Sequence, residues 1–376
     1  RLVMSFATAD SAEIAPLTMK DNITLENVKV IGSGAGNQAG FKFDKCVNVT
    51  LTICGFEYCH YSGASFYRCA NVLVDGCPVR YARSTGLSYG FTFVHGCYGF
   101  KVVNGYGEDL RHYVTSGGLD GVNLYYTAAN NTILGARDSG LDAHPSADFV
   151  SYIGNQVECV ADPDGASQGL LCQAPNFVCK GNTIVGAQNI AIVHQIIPDG
   201  MAGSSTISGN LIKDSGGSAS TDICVAVSNE SDGTTLKNVS ISNNVGETTG
   251  EYFTQVYAVS GDIENVSVVG NTGSGMTIRG AMLRAQAGYN LRRVNVSGNV
   301  FHGDSASEGI YFLGATAQNI FDVSATGNII DGFIFGLRAA YVSGLKESTN
   351  TILNFSDPYE IADTCSGVEL QSTAYG

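Results

Sequence analysis

The sequence predicts an all-β chain wound as a parallel β-solenoid, and three observations carry that reading. A short Asn-centred pattern recurs, the strands around it are too short to bury a face alone, and no stretch has helical periodicity. The pattern reads YIGNQV, VCKGNTI, TISGNLI, SISNNVG, VVGNTG, VSGNVF and ATGNII. Its Asn falls at Asn155, Asn182, Asn210, Asn244, Asn271, Asn299 and Asn328, at intervals of 27 to 34 residues. Upstream, NITLENVKV, NVTLTICGF and NVLVDGCPV start at Asn22, Asn48 and Asn71 and form a somewhat shorter version of the unit.

Inside each unit a short alternating strand such as NVSVVG leads to the Asn, and a second strand such as GIYFLG follows a few turn residues later. Strands of this length, rich in Val, Ile and Thr and punctuated by Gly and Asn, become stable only when copies stack. A helical repeat would need stretches of about 10–15 residues with a 3.6 period. Two or three short strands per repeat make one coil of a solenoid, and successive coils then pair at about 4.8 Å. The recurrent Asn is expected to adopt left-handed geometry at a turn and to hydrogen-bond along the stack. The Asn-X-Ser/Thr triplets at Asn48, Asn238, Asn265 and Asn295 have the same origin and are read as strand composition, not as glycan acceptors.

The chain has 376 residues, is 44% hydrophobic and carries a net charge of −14, enough to bury a large core. With no basic run, it is a poor partner for nucleic acid, which needs clustered cations to displace counterions. No apolar run approaches a bilayer span, so membrane insertion is not expected. The chain starts at Arg1 without a charged–apolar leader, which reads as no signal peptide and as a processed or excised piece of something longer. Of eleven Cys, six fall between Cys46 and Cys97. Cys46 and Cys69 are 23 residues apart, as are Cys54 and Cys77, while Cys77 and Cys97 are 20 apart. Near-coil spacing predicts free, stacked, buried thiols made in a reducing compartment rather than disulfides. There is no CxxC, and no Cys–His spacing fits zinc, so neither a metal nor a cofactor is expected. The organisation predicted is a lead-in over 1–20, the solenoid over 21–338, and a segment over 339–376. That last segment either caps the open end or begins a trimerisation region.

Function is expected where the monotony breaks. The Asn series fails between about 80 and 150, a region that holds His95, His112 and His144 and the polar run GEDLRHYVTSGGLDG at 107–121. About one coil later comes SGLDAHPSAD at 139–148, in which alternation places Asp142 and His144 on one face with Leu141 and Ala143 on the other. Further on, IAIVHQ carries His194 and Gln195. Stacked coils would gather Arg111, His112, Thr115, Asp142 and His144, with His194 and Gln195 beyond them. Each has a bland alternative: a hydrogen-bonded surface His, an Arg111 paired with Glu108 or Asp109, an Asp142–His144 pair that is only scaffold. As chemistry, a carboxylate orients an imidazole and raises its pKa, and Arg neutralises a carboxylate or oxyanion. Those parts suit proton abstraction beside a uronate carboxyl, leading to elimination or epimerisation. Asp138, Asp142 and Asp148 also offer carboxylate pairs of the kind hydrolysis uses. Tyr113, Tyr125 and Tyr126 have faces that can stack on sugars, but packing is their first reading.

The Asn- and Gly-rich coils from about 20 to 335 resemble the right-handed, single-stranded parallel β-helix of the pectate-lyase-like superfamily. The stretch GFTFVHGCYGFKVVNG…LRHYVTSGG…GLDAHPSADFVSYIGNQV is similar to bacteriophage tailspike and tail-fibre polysaccharide depolymerases. Their R-H-x-x-T-x-G segment falls here on Arg111, His112, Thr115 and Gly117, and their G-x-D-x-H-P segment on Gly140, Asp142, His144 and Pro145. The resemblance implies a homotrimer on a virion tail, assembled in the host cytoplasm with other tail proteins. It would bind and cleave a capsular or exopolysaccharide at the host surface; a secreted bacterial enzyme is the alternative. Cluster and motifs together assign His112, Asp142 and His144 as catalytic, and Arg111, Thr115, His194 and Gln195 as substrate-binding. Two departures stand out: the pectate lyase calcium Asp cluster is not evident, and no residue is identified as the usual lyase Arg. Asp142–Ala143–His144 also resembles the D-P-H of mannuronan C5-epimerases, with Ala143 in place of Pro. Depolymerase, epimerase and non-catalytic glycan-binding adhesin therefore stand as the three readings.

Overall fold

Strands of the computed structural model pair in parallel with strands about one repeat away, as between Val49 and Val72 or Ser267 and Asn295. The structure describes residues 2–5, 12–14, 20–32, 39–82, 88–118, 121–160, 167–197, 202–215, 223–248, 250–315, 319–371 and 373–375. Strands make up 72% of the described residues, among which no helix is found. The chain divides into two compact units, residues 1–174 with 181–184, and 175–180 with 185–376. Each unit is a parallel β-solenoid. In the first, a coil is three strands, such as Cys46–Thr52, Gly55–Glu57 and Ser62–Tyr67, followed by Ala70–Asp75, Pro78–Arg80 and Tyr89–Val94. The second repeats the plan with Thr235–Ser242, Val245–Thr248 and Tyr252–Ala258.

Alternation sets the core. In Cys46–Thr52, Val49 and Leu51 are buried while Asn48 is exposed, and the next coil buries Val72 and Val74 at the paired positions. Large aromatics continue the columns upward. Phe43, Phe66 and Phe93 stack with centroids 5.1 and 4.7 Å apart. Phe100, Tyr126 and Tyr152 carry the stack on from Phe93. The paired column shrinks from Phe93 to Ser116 and then Ala143, while Tyr126 and Tyr152 are fully buried in the same coils.

The recurrent Asn residues form buried ladders. In the second unit, the backbone N–H and side-chain Nδ2 of Asn244 both donate to Asn271 Oδ1, at 3.0 and 2.9 Å. Asn271 does the same to Asn299, and Asn299 to Asn328. The remaining amide hydrogen goes to the coil before, as from Asn271 to the Ile241 carbonyl at 3.0 Å. Asn350 extends this ladder, and in the first unit Asn131, Asn155 and Asn182 form another. One expectation is corrected here. The ladder Asn is not itself left-handed; the residue before it is, at Gly154, Gly181, Gly209, Asn243, Gly270, Gly298 and Gly327. The turn is thus made by one residue and the hydrogen bonds by the next, which is why the pair reads Gly-Asn or Asn-Asn.

The cysteines take the same place in the early coils. The Cys54 N–H donates to Cys77 Sγ at 3.3 Å, the geometry an Asn would otherwise supply. The next position is Gly105, whose N–H donates to Asn131 Oδ1. A Cβ at Gly105 would collide with the Tyr113 hydroxyl, which donates to the Cys77 carbonyl at 2.7 Å. All eleven thiols are free and all but Cys365 are buried. Burial pushes the Cys69 and Cys97 thiols up, the latter to about 11.

Pairing also runs beyond the expected limits of the solenoid. Leu2–Ser5 pairs with Val28–Ile31, and the 338/339 limit falls inside the strand Ile329–Ala340. Val342–Ser348 pairs with Ile320–Thr326.

Asn271→Ala is expected to destabilise by roughly 2–4 kcal/mol, because it strands the buried N–H of Asn244 and the Ile241 carbonyl. Asn265→Gly, at an exposed left-handed position on the outer surface, should stay within about 0.5 kcal/mol. Denaturant unfolding of the two variants checks the contrast.

Candidate functional site

Four strands of one sheet in the first unit position the site: Tyr89–Val94, His112–Gly117, Ser139–Ala143 and Gln168–Cys172. Register aligns Thr92 with Thr115, Thr115 with Asp142, and Asp142 with Leu171. Phe91, Val114, Leu141 and Leu170 align beside them in the core. Asp142 therefore projects to the outer side of the sheet. His144 continues the ladder one residue past its strand, its N–H donating to the Ser116 carbonyl at 2.9 Å. A tight turn follows at Pro145, closed by the Ala147 N–H on the His144 carbonyl. Gly117 precedes His144 in the stack, and a Cβ there would come 3.0 Å from the ring. The missing side chain lets the imidazole lie toward Asp142.

Asp142 Oδ2 is the centre of the cluster. It accepts from His144 Nε2 at 2.9 Å and from the Thr115 hydroxyl at 2.9 Å. His112 Nε2 lies 3.8 Å from the same oxygen and 3.9 Å from Asp138 Oδ2. Asp142 Oδ1 is buried and has no hydrogen-bond partner among the described residues, so the carboxylate retains acceptor capacity. Side-chain exposure is 1% for Asp142, 4% for His112 and 50% for His144. The charge is deep and one imidazole reaches the surface.

The two imidazoles are held in different states. His112 Nδ1 faces the Ser139 carbonyl at 2.7 Å. A carbonyl only accepts, so Nδ1 carries the proton and Nε2 presents its lone pair. The ring also stacks on Tyr89 with centroids 5.5 Å apart. Burial lowers the His112 pKa, against the pull of Asp142 and Asp138. His144 is raised, first by its hydrogen bond to Asp142, against its partial burial, with a further hydrogen bond to Gln173. Burial alone would push Asp142 up, but His112, His144 and Thr115 together hold it below the ordinary carboxylate range.

Arg111 pairs with Asp138 on the next coil. Its Nε and Nη2 both meet Asp138 Oδ2 at 2.9 Å, while Glu108 pairs with Arg80 and Asp109 with Arg137. Arg111, His112, Thr115, Asp142 and His144 are thus brought together. His194 and Gln195 belong to the second unit. His194 is fully buried there with its ring on Phe177, and Gln195 is half-buried beside it. A side chain turned into the core has no surface to offer a sugar. Tyr113 and Tyr126 are core residues, whereas Tyr125 is exposed and stacks on Phe149. Asp148 caps the Phe149 N–H. In the polar run at 107–121, Leu119 and Asp120 lie outside the described residues. Sequence reasoning missed Tyr89 and Gln173; a signal existed for Tyr89, which stands 23 residues before His112, about one coil. Among the described residues no group of three or more His, Cys, Asp or Glu is placed to hold a metal ion.

No family model and no curated protein matches the sequence. Solved structures with a similar course include a tailspike of Pseudomonas phage phi297, at 14% identity and TM-score 0.40, covering 82% of this chain and 48% of that one. A tailspike of an Acinetobacter baumannii bacteriophage, in complex with a capsular saccharide of that bacterium, matches at 11% identity and TM-score 0.45. The match covers 86% of this chain and 48% of the tailspike. The A-module of an Azotobacter vinelandii mannuronan C-5 epimerase is 14% identical at TM-score 0.37, covering 100% of this chain and 90% of the module. The chain thus spans about half the length of the two tailspikes.

The opposite shifts should be visible by NMR titration of the imidazoles. His144 is expected to titrate above the ordinary histidine value of about 6.5 and His112 below it. Asp142→Asn should bring His144 back toward that value. The His144–Asp142 pair stabilises fully below the ordinary histidine value, and that contribution fades as pH rises through the raised one. Neutral His112 works in the other direction, and its contribution fades as pH falls below the ordinary value. Two imidazoles titrating together would contradict the geometry.

Proposed function

We propose that the first unit carries the site of a polysaccharide depolymerase that cleaves a bacterial capsular or exopolysaccharide by acid–base chemistry. The observation that carries the reading is the Asp142–His144 pair, a buried carboxylate hydrogen-bonded to a half-exposed imidazole. Neighbouring groups whose environments push their pKa values apart divide into an acid and a base. His144, held protonated by Asp142, is the acid that donates to the departing glycosidic oxygen. His112, whose pKa is lowered by burial so that it stays neutral, is the base. Arg111 and Thr115 position substrate and carboxylate. For a uronate polymer the base removes the proton beside the carboxyl, and the bond to the leaving oxygen breaks by elimination. With Asp138 as second carboxylate the same site directs water to the sugar and hydrolyses it.

The D-x-H spacing with both side chains on one face also supports C5-epimerisation of a polyuronate as the second reading, with the same residues exchanging a proton and no chain cleavage. On the motif resemblance, the protein is proposed to act as a homotrimer on a virion tail.

Asp142→Asn and His144→Ala are each expected to lower turnover of the capsular polymer by about 10²–10⁴-fold, with circular dichroism unchanged. Unsaturated products identify a lyase, new reducing ends alone a hydrolase, and altered uronate composition at constant length an epimerase. Full activity in both variants removes the pair from the mechanism, and binding without any product leaves an adhesin.

A further inference from the structure

A second feature on the outer side of the same sheet has no part in the chemistry above. A cleft of about 330 Å³ is lined by Lys42, Asp44, Tyr67, Arg68 and His95, a volume within the range of small-ligand sites. Tyr67 and His95 stack with centroids 5.7 Å apart and planes 18° from parallel, and Lys42 Nζ lies 5.1 Å from the Tyr67 ring centre. Arg68 grips Asp44 through two hydrogen bonds, Nε to Oδ1 at 2.9 Å and Nη2 to Oδ2 at 2.8 Å. Tyr67 and His95 are half-buried while Arg68 is exposed. Aromatic rings beside a planar Arg–carboxylate pair match a pyranose, whose C–H face packs on a ring and whose adjacent hydroxyls take paired hydrogen bonds. With Lys42 and Arg68 against Asp44, the fixed charges of the cleft are positive on balance in a chain of net charge −14.

Register ties the cleft to the catalytic pair. Asp44 aligns with Tyr67, Tyr67 with Val94, and Val94 with Gly117; His144 follows in the next coil beside Gly117. Tyr67 therefore stands three coils from His144, about 14 Å at the usual strand spacing. That is too far for one sugar to touch both and within reach of an oligosaccharide.

We infer that the Lys42–Asp44–Tyr67–Arg68–His95 cleft is a second sugar-binding site, which holds a remote unit of an acidic polysaccharide while another unit lies at Asp142–His144. The inference rests on the proposed function only for the second unit. The cleft supplies affinity that grows with chain length and leaves the reacting sugar untouched.

The test uses mannuronan oligosaccharides of two lengths, a disaccharide and an octasaccharide, titrated by calorimetry into the whole chain carrying Asp142→Asn. The octasaccharide is expected to bind at least tenfold more tightly than the disaccharide. Adding Tyr67→Ala, or separately Arg68→Ala, should remove that advantage and leave disaccharide affinity unchanged. Tyr67→Phe should restore it, since the ring face is kept. Equal affinity for both lengths, or a length advantage that survives both alanine variants, overturns the inference. If Asp142→Asn cleaves capsular polymer at the full rate, the proposed role of the pair fails, while the length dependence and its loss in Tyr67→Ala still decide the cleft.

Discussion

Parallel pairing of each strand with the strand one coil away is the constraint on which everything else depends. It sends Val, Leu and Phe inward at matched heights, and it turns distance along the chain into adjacency across the sheet. Thr115 and Asp142, 27 residues apart, meet at 2.9 Å only because their strands share a register. A slip of one residue would exchange inner and outer faces and bury the wrong set. The Asn ladders resist such a slip. Each amide both donates to and accepts from its neighbours, and a displaced coil would leave several buried polar groups unpaired at once.

The site uses that rigidity to keep a charge out of water. A carboxylate as buried as Asp142 survives ionised only with compensation, and His144 and Thr115 supply it from two coils. Tyr126 and Tyr152 lie in the core of the same coils, so the cluster rests on a close-packed aromatic base. His112 is fixed by the Ser139 carbonyl and by Tyr89, whereas His144 is held mainly through Asp142 and Gln173. One imidazole is thus locked in place and the other is exposed and tethered.

Much of this was legible in the sequence. Coil length, strand character and the later ladder residues could be read because Gly-Asn recurs at nearly constant intervals. The Asp142–His144 face followed from alternation alone. What escaped were substitutions of one chemistry for another at a conserved place in the coil. Cys54 and Cys77 occupy ladder positions, and the Tyr113 hydroxyl fills the space beside Gly105, so the ladder looked interrupted where it was only rebuilt. Asn131, inside the supposed break, continues it. His194 looked like a site residue because stacked coils would bring its strand into line with the polar stretches, yet its place in the alternation is that of Ile192 and Ile196, both buried. Arg111 chose Asp138 over nearer acids because the preference is set by stacking, which local spacing does not encode.

The uneven distribution of thiols has a further consequence. Six lie between Cys46 and Cys97, and only Cys224 and Cys365 follow Cys179. All but Cys365 are sealed inside, so an alkylating reagent reaches them only when a coil opens. The early coils thereby carry a built-in clock for unwinding: the order in which those sulfurs become labelled would trace which coils open before the rest yield.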